Sequence, residues 1–525
     1  MTTRPTRPQP MTMAPSVADI IRHGARRYGA KTALVFEDQR WSFEQIDVAS
    51  DLVAGNLVKL GVQTGDVVSL FSPNCPEWIV AYYAVLKIGA VVNPLNLMLT
   101  PDEVAYAVSD CASVAIIGSA DRIASLEGMR ASTKLRHCIA YGSETPSFAV
   151  DFQTLLALGS PPPMIVEPDP TAPSTIAYTS GTTGHPKGAV LSHRSVLMNT
   201  AMTATMHLRG PHDTVVSALP CSHVYGNIVM NAAIAYGTTL VLHASFDALR
   251  VLRSIEQHRA TMLEGVPTMY MYLLNSPRLQ DFDLSSLTRC TVGGQTMPEA
   301  KMRQVEAALG CPLIELWGMT ELGGLGSTHS VYGPKRLGSI GVALPHLEAR
   351  IGAADGTEAV LPPGEVGELQ IRGPMVMDSY LGRPDATAQA IDAQGWLRTG
   401  DLARIDDEGY LYIVDRLNDM IITAGFNIYP AELERVIAEH PDVAMVAVAS
   451  IPDEYKGELA KAYIVPRDGS SPDAAELEAF CRARLAAYKV PRAFQFVADL
   501  PKTSSGKVLR RKLREIDAAV ATPVA

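Results

Sequence analysis

The chain has 525 residues, 47% of them hydrophobic and 19% charged, which allows several packed cores and excludes a disordered chain. Its 45 basic and 55 acidic side chains leave a net charge of −10, which excludes a broad basic face for nucleic acid; any phosphate must be held locally, by loops. The seven cysteines are scattered with no CxxC pair, a pattern of reduced core residues in a cytoplasmic protein and not of a zinc site or disulfide framework.

In chain order, residues 1–15 are Pro- and Thr-rich and read as a disordered tail. Residues 16–415 alternate short apolar runs with helical patterns, which predicts α/β layers with substantial parallel sheet. The stretch "PEWIVAYYAVLKIGA" predicts a helix that starts on Pro76 and stops near Lys87 and Gly89. "STIAYTSG" reads as a strand running into a glycine loop, and "GAVLSHRSVLMNT" as a strand feeding a helix with Ser192 as N-cap. Residues 214–246 hold no Asp, Glu, Lys or Arg, but their Pro, Gly, Asn and His mark buried helix and strand, not a transmembrane segment. Beyond the "VDRLND" stretch the pattern changes to a small α+β unit over 419–525, with 416–418 as a hinge. There Pro430 opens one helix, "VAMVAVASI" and "KAYIVP" are strands, and Pro472 opens a second helix with Leu477, Phe480, Cys481 and Leu485 on one face.

Four loops carry chemistry. "TSGTTGHPKG" offers hydroxyls from Thr179, Ser180, Thr182 and Thr183, close backbone approach at Gly181, and a mobile cation at Lys187. It is a phosphate cradle by composition but not a GxxxxGK[ST] loop. "LWGMTELGG" supplies Trp317 to pack on a base, Thr320 as a hydroxyl, and Glu321 as a hard oxygen for Mg2+. "GWLRTGDL" supplies Asp401, a carboxylate able to accept from two ribose hydroxyls, and "DRLNDMIITAGFNIYP" supplies Arg416. A further lysine, Lys507, stands in "PKTSSGKVLRR" near the chain end; the basic run Arg510 to Lys512 after it reads as a solvated helix face.

With "LKIGAVVNPLN", "PCSHVYG", "GELQIRG" and "DRLNDMIITAGFNIYPAELE", these loops occur in the order found in one family. From about residue 17 to 514 the chain resembles the adenylate-forming superfamily: acyl-CoA synthetases, peptide-synthetase adenylation domains and beetle luciferases. The resemblance implies a large N-terminal domain of layered sheets and helices and a small, mobile C-terminal domain. It implies that ATP and a small-molecule carboxylic acid give an acyl-adenylate, whose acyl group passes to coenzyme A. By position, Ser180, Thr182, Thr183 and Lys187 would hold the β- and γ-phosphates, with Thr179 and Gly181 in the same loop. Gly293, Gly294, Gln295, Trp317 and Gly318 would line the adenine and acyl site. Thr320 would touch the α-phosphate, Glu321 would hold Mg2+, and Asp401 and Arg416 the ribose. Lys507 would bridge the carboxylate and α-phosphate, and His223 would stand near the carboxylate.

The resemblance also implies that Lys507 leaves after adenylation, about a hinge at Asn418, while Ala424, Gly425 and Phe426 come in to line the pantetheine tunnel. Asn418 replaces the usual Asp or Lys, and Ala424 replaces a Gly and narrows the tunnel slightly. Ser379 in "VMDSYL" replaces a Gly, with no consequence assigned. No Lys or Arg occurs in "HVYGNIVM", "VGGQTM" or "WGMTELGGLG", which match the acyl pocket, so an apolar monocarboxylate is expected: medium- or long-chain fatty, branched or aromatic. No carrier domain follows, which favours free CoA as acceptor; a carrier-protein ligase or an acyl-adenylate-only synthetase is the alternative. No nucleic acid and no transmembrane segment are expected, and a homodimer is compatible with the chain.

Overall fold

The structure is a computed structural model. It describes residues 16–157, 169–179, 186–354, 357, 359–417, 419–423, 426–453, 455–503, 506–510 and 512–513, without the side chains of 130–132. Among these residues, two large sheets, a four-stranded antiparallel sheet (Glu348–Gly352, Gly367–Arg372, Leu397–Ile405 and Leu411–Arg416) and their helices build the N-terminal part. In the nine-stranded sheet the run from Leu313–Met319 through Arg289–Val292, Met262–Gly265, Thr214–Ser217 and Thr239–Leu242 to Thr32–Phe36 is parallel. Antiparallel strands close it at both ends. The eight-stranded sheet has a parallel core around Val67–Phe71 and an antiparallel edge made by Pro173–Thr179, Lys187–Ser192 and Ser379–Tyr380.

Helices fill the space between these sheets. Pro76–Lys87 starts on its proline, as the sequence predicts, and every residue but Glu77 is buried. Its Tyr83 hydroxyl donates to Asn231 at 2.9 Å on Val224–Ala235, the helix from the charge-free segment. Lys87, at the buried end, would be costly alone; Asp47 at 2.5 Å and Asp51 at 2.7 Å neutralise it. Ser192 caps His193–Met206 by accepting from the Ser195 amide at 3.2 Å.

The C-terminal sheet is built from Phe426–Ile428, Ile421–Thr423, Gly457–Pro466 and Val443–Asp453, with Ala493–Phe496 paired to Gly457–Pro466. Pro430–Ile437 and Ala474–Arg482 cover one face. The strand period of two sends Met445, Ala447 and Ala449 to the other face, where they join a core with Met297, Met302 and Val305 of the large part. Lys301 donates to Val443 O across this junction at 3.0 Å.

Two expectations need correction. The helix expected from Pro472 opens at Ala474, because the Asp473 carboxylate caps it by accepting from the Glu476 amide at 2.7 Å. It ends at Arg482, so Leu485 lies beyond it, although the Leu485 amide still donates to Cys481 O at 2.8 Å. Arg510 is not part of a solvated face: it forms a bidentate pair with Glu434, both bonds 2.8 Å, and bonds to Asp419 at 3.2 Å. Lys512 is exposed, and Arg511 lies outside the described residues.

Candidate active site

The loop rich in hydroxyls joins two paired strands. Thr179 stands opposite Lys187 at the mouth of this hairpin, its hydroxyl 3.5 Å from Lys187 O. Ser180, Gly181, Thr182 and Thr183 lie outside the described residues. The Lys187 ammonium sits 5.1 Å above the ring of Tyr380. The strand Ser379–Tyr380 lies on Lys187–Ser192, and the Tyr380 hydroxyl donates to Glu321 Oε1 at 2.7 Å. Lys187, Tyr380 and Glu321 therefore form one polar line. The other Glu321 oxygen takes no hydrogen bond from the described residues, so a hard cation has one carboxylate oxygen available to it. Sequence reasoning missed Tyr380: a lone tyrosine in "VMDSYL" carries no signal until the strand pairing brings it to Glu321.

Asp401 and Arg416 are cross-strand partners, and Arg416 Nε lies 2.7 Å from Asp401 Oδ1. The indole N–H of Trp317 donates to Asp401 Oδ2 at 2.8 Å. Asp401 is buried, and burial raises its pKa while Arg416, Trp317 and Lys507 oppose the rise. Trp317, read as a base-stacking ring, thus also positions the carboxylate. Gly318 lies in the same strand, Leu313–Met319, and half-buried Thr320 follows it beside Glu321.

Lys507 comes to this group from the C-terminal part. Gly506 takes a left-handed φ of +82°, and its carbonyl accepts from the Thr268 hydroxyl at 2.8 Å. This contact seats the lysine over the loop of Gly293, Gly294 and Gln295 that follows Arg289–Val292. A Cβ on Gly294, whose φ is +90°, would meet Lys507 Cε at 2.8 Å. The ammonium makes no hydrogen bond to the described residues. Burial, with Arg416 adding to it and Asp401 opposing it, lowers its pKa to about 8.

His223 caps Val224–Ala235: its Nδ1 accepts from the Tyr225 amide at 3.2 Å. Burial and the Lys507 charge push its pKa down to about 3, so the ring is neutral at neutral pH. An accepting Nδ1 leaves the proton on Nε2, which makes the ring a neutral donor. An ammonium with no hydrogen-bond partner among the described residues, a neutral imidazole donor, an acid–arginine pair and a carboxylate oxygen open to a cation suit two anions that must be brought together.

The lowered pKa of Lys507 has a kinetic signature. Any activity that uses this ammonium should fall as pH rises through about 8, because the ammonium is present below that pH and lost above it. Initial rates across pH 6.5–9.5 check this; the alkaline limb should be missing from the residual activity of Lys507→Ala.

Not every expected residue is brought in. Phe426 is 55% exposed and packs on Tyr488, with ring centroids 4.9 Å apart. Asn418, Ala424 and Gly425 lie outside the described residues.

Residues 21–381 match the sequence model of the AMP-binding enzyme family, and 432–507 match that of the AMP-binding enzyme C-terminal domain. The chain belongs to this family, the adenylate-forming enzymes. It is 35% identical to the long-chain-fatty-acid–CoA ligase of Bacillus subtilis (strain 168), over 95% of this chain and 94% of that one. It is also 35% identical to the indoleacetate–CoA ligase of Aromatoleum aromaticum, over 95% and 97% of the two chains. The crystal structure of the anthranilate CoA ligase AuaEII in complex with anthranoyl-AMP superposes with a TM-score of 0.91 at 26% identity, covering 98% of this chain and 99% of that chain. No helix among the described residues is long and apolar enough to cross a membrane.

Proposed function

We propose that this acid–thiol ligase, an AMP-forming acyl-CoA synthetase, activates an acid with an apolar body: fatty, branched or aromatic. The observation that carries the reading is Lys507, a half-buried lysine whose ammonium has no hydrogen-bond partner among the described residues, held against Gly294 beside Asp401 and Arg416. The first half-reaction joins two anions, a carboxylate and the ATP α-phosphate. Placed positive charge and donors are therefore its main need. Lys507 spans the two anions, and neutral His223 donates from Nε2 to the acid. Thr320 holds the α-phosphate; Thr179, Ser180, Gly181, Thr182, Thr183 and Lys187 hold the phosphates that leave. Asp401 and Arg416 hold the ribose, with Trp317, Gly318, Gly293, Gly294 and Gln295 around the base and acyl group. Glu321 is the carboxylate for Mg2+, which when bound neutralises phosphate charge.

CoA then displaces AMP. In this reading the C-terminal domain, residues 419–525, turns about 416–418 and removes Lys507. Ala424, Gly425 and Phe426 then line the path of the thiol. The exposure of Phe426 while Lys507 is seated supports two positions of one domain. A cytoplasmic enzyme fits its soluble substrates.

A panel of monocarboxylic acids, assayed for AMP, ADP and pyrophosphate with and without CoA, tests the reading. AMP and pyrophosphate should form only with an accepted acid, and multiple turnover should need CoA. Release of ADP would sink it. AMP release that free CoA does not stimulate would point to a carrier-protein acceptor or to a synthetase that stops at the acyl-adenylate.

A further inference from the structure

Two cysteines outside the site lie side by side beneath it. Cys290 is on strand Arg289–Val292, and Cys311 stands in the turn between helix Glu299–Leu309 and strand Leu313–Met319. Their Sγ atoms are 3.5 Å apart. The backbone holds them there: the Cys290 amide donates to Pro312 O at 2.8 Å, and Cys290 pairs with Leu313 in the parallel register.

The two sulfurs differ in character. Cys290 is 1% exposed, and burial holds its thiol well above the ordinary range. Cys311 is 7% exposed but lies between exposed Gly310 and exposed Pro312, so only its own turn separates it from solvent. The Cys290 S–H, held against Cys311, favours the Cys311 thiolate and lowers its pKa, with burial opposing. Burial raises the thiols of Cys75, Cys111, Cys221 and Cys481. The thiolate is the form that attacks an oxidant, so Cys311 is the attacking sulfur and Cys290 the resolving one.

The pair is also joined to the parts of the site that must be aligned. Strand Arg289–Val292 leads to Gly294, against which Lys507 sits, and Leu313–Met319 leads to Thr320 and Glu321. Helix Glu299–Leu309 carries Lys301, the donor to Val443 O across the junction. Both cysteines pack in the core shared by Met302 and Val305 of this helix and Met445 and Ala447 of the C-terminal sheet. A disulfide needs its sulfurs about 2.05 Å apart, so closing the gap by about 1.5 Å draws the turn towards the strand. The turn has room to give: Gly310 has a left-handed φ of +70°, and a Cβ there would meet nothing within 4 Å.

We propose that Cys290 and Cys311 are a dithiol modification site, which a peroxide converts to a disulfide that slows formation of the acyl-adenylate. The Cys311 thiolate attacks one peroxide oxygen; an S–O bond forms, the O–O bond breaks, and hydroxide leaves to take up a proton. Cys290 then attacks the Cys311 sulfur; the S–S bond forms, the S–O bond breaks, and the second oxygen leaves as water with the Cys290 proton. Two thiols lose two electrons in all, and hydrogen peroxide becomes two waters. Reversible disulfides of this kind suit a chain whose thiols are otherwise reduced. The effect on activity rests on the ligase reading above; formation of the disulfide does not.

The full-length enzyme is treated with hydrogen peroxide, alkylated with iodoacetamide in denaturant, and mapped by peptide mass spectrometry before and after dithiothreitol. A peptide pair linked through Cys290 and Cys311 is expected, and it should separate on reduction. Recovery of the two cysteines unlinked, after treatment that oxidises Cys75, would overturn the proposal. Pyrophosphate release with an accepted acid should fall about 10- to 100-fold on oxidation, the cost of a misplacement of about 1 Å at a reacting centre. Dithiothreitol should restore it. Cys311→Ser and Cys290→Ala should each keep their activity through the same treatment. Loss that dithiothreitol does not reverse, or equal loss in both variants, would place the inactivation elsewhere and sink the proposal. A linked pair with an unchanged rate would remove its effect on activity. If no acid is turned over, the ligase reading fails, while the peptide map still decides for or against the dithiol.

Discussion

Lys507→Ala should lower acyl-adenylate formation by at least about 10²- to 10³-fold, the cost of removing one preorganised charge donor from a reacting centre. ATP binding should weaken far less, because the lysine acts mainly where the two anions approach. Thioester formation from supplied acyl-adenylate and CoA should stay within a few-fold of wild type, since in the proposed cycle Lys507 has left the site by then. Pyrophosphate release measures the first half-reaction, and single-turnover CoA acylation the second. Equal losses in both would make the one-sided role wrong.

Gly294→Ala should reproduce much of that loss without touching a charged group. The residue sits at φ +90°, where a side chain costs about 1–2 kcal/mol. Its new methyl would lie 2.8 Å from Lys507 Cε. That atom is near the free end of a flexible chain, so the lysine yields and the protein stays folded. The ammonium is displaced from the carboxylate, and a misplacement of this order lowers the rate by about 10²-fold. Thermal melting should show only the modest backbone cost. Combining Gly294→Ala with Lys507→Ala should add little to Lys507→Ala alone, because both act through one group. Full additivity of the two losses would mean that Gly294 works by another route.

Much of the fold was legible because local rules and tertiary structure agree. Pro76, Ser192 and Pro430 start helices where their missing amide or capping hydroxyl predicts. The uncharged run 214–246 supplies the strands Thr214–Ser217 and Thr239–Leu242 and the helix Val224–Ala235, all largely buried. Where several groups compete for one terminus, the reading slipped. Asp473 caps a helix that Pro472 was expected to open, and Arg510 turns from solvent to Glu434 because helix Pro430–Ile437 folds back beside it.

The sequence alone determined the residue types on which the proposed chemistry rests: a hydroxyl-rich glycine loop ending in Lys187, the pair Thr320 and Glu321, Asp401, Arg416, and Lys507 near the chain end. Their motifs are contiguous, so neighbouring residues announce them. Only the tertiary structure decided which of them meet. The Trp317–Asp401–Arg416 line, the Tyr380 hydroxyl on Glu321, and Lys507 over Gly294 join positions 15 to 213 residues apart. The buried pairing of Arg209 with Glu264 was equally out of reach. Such contacts are set by strand register and by the packing of one sheet on another, and no local pattern in the chain records them.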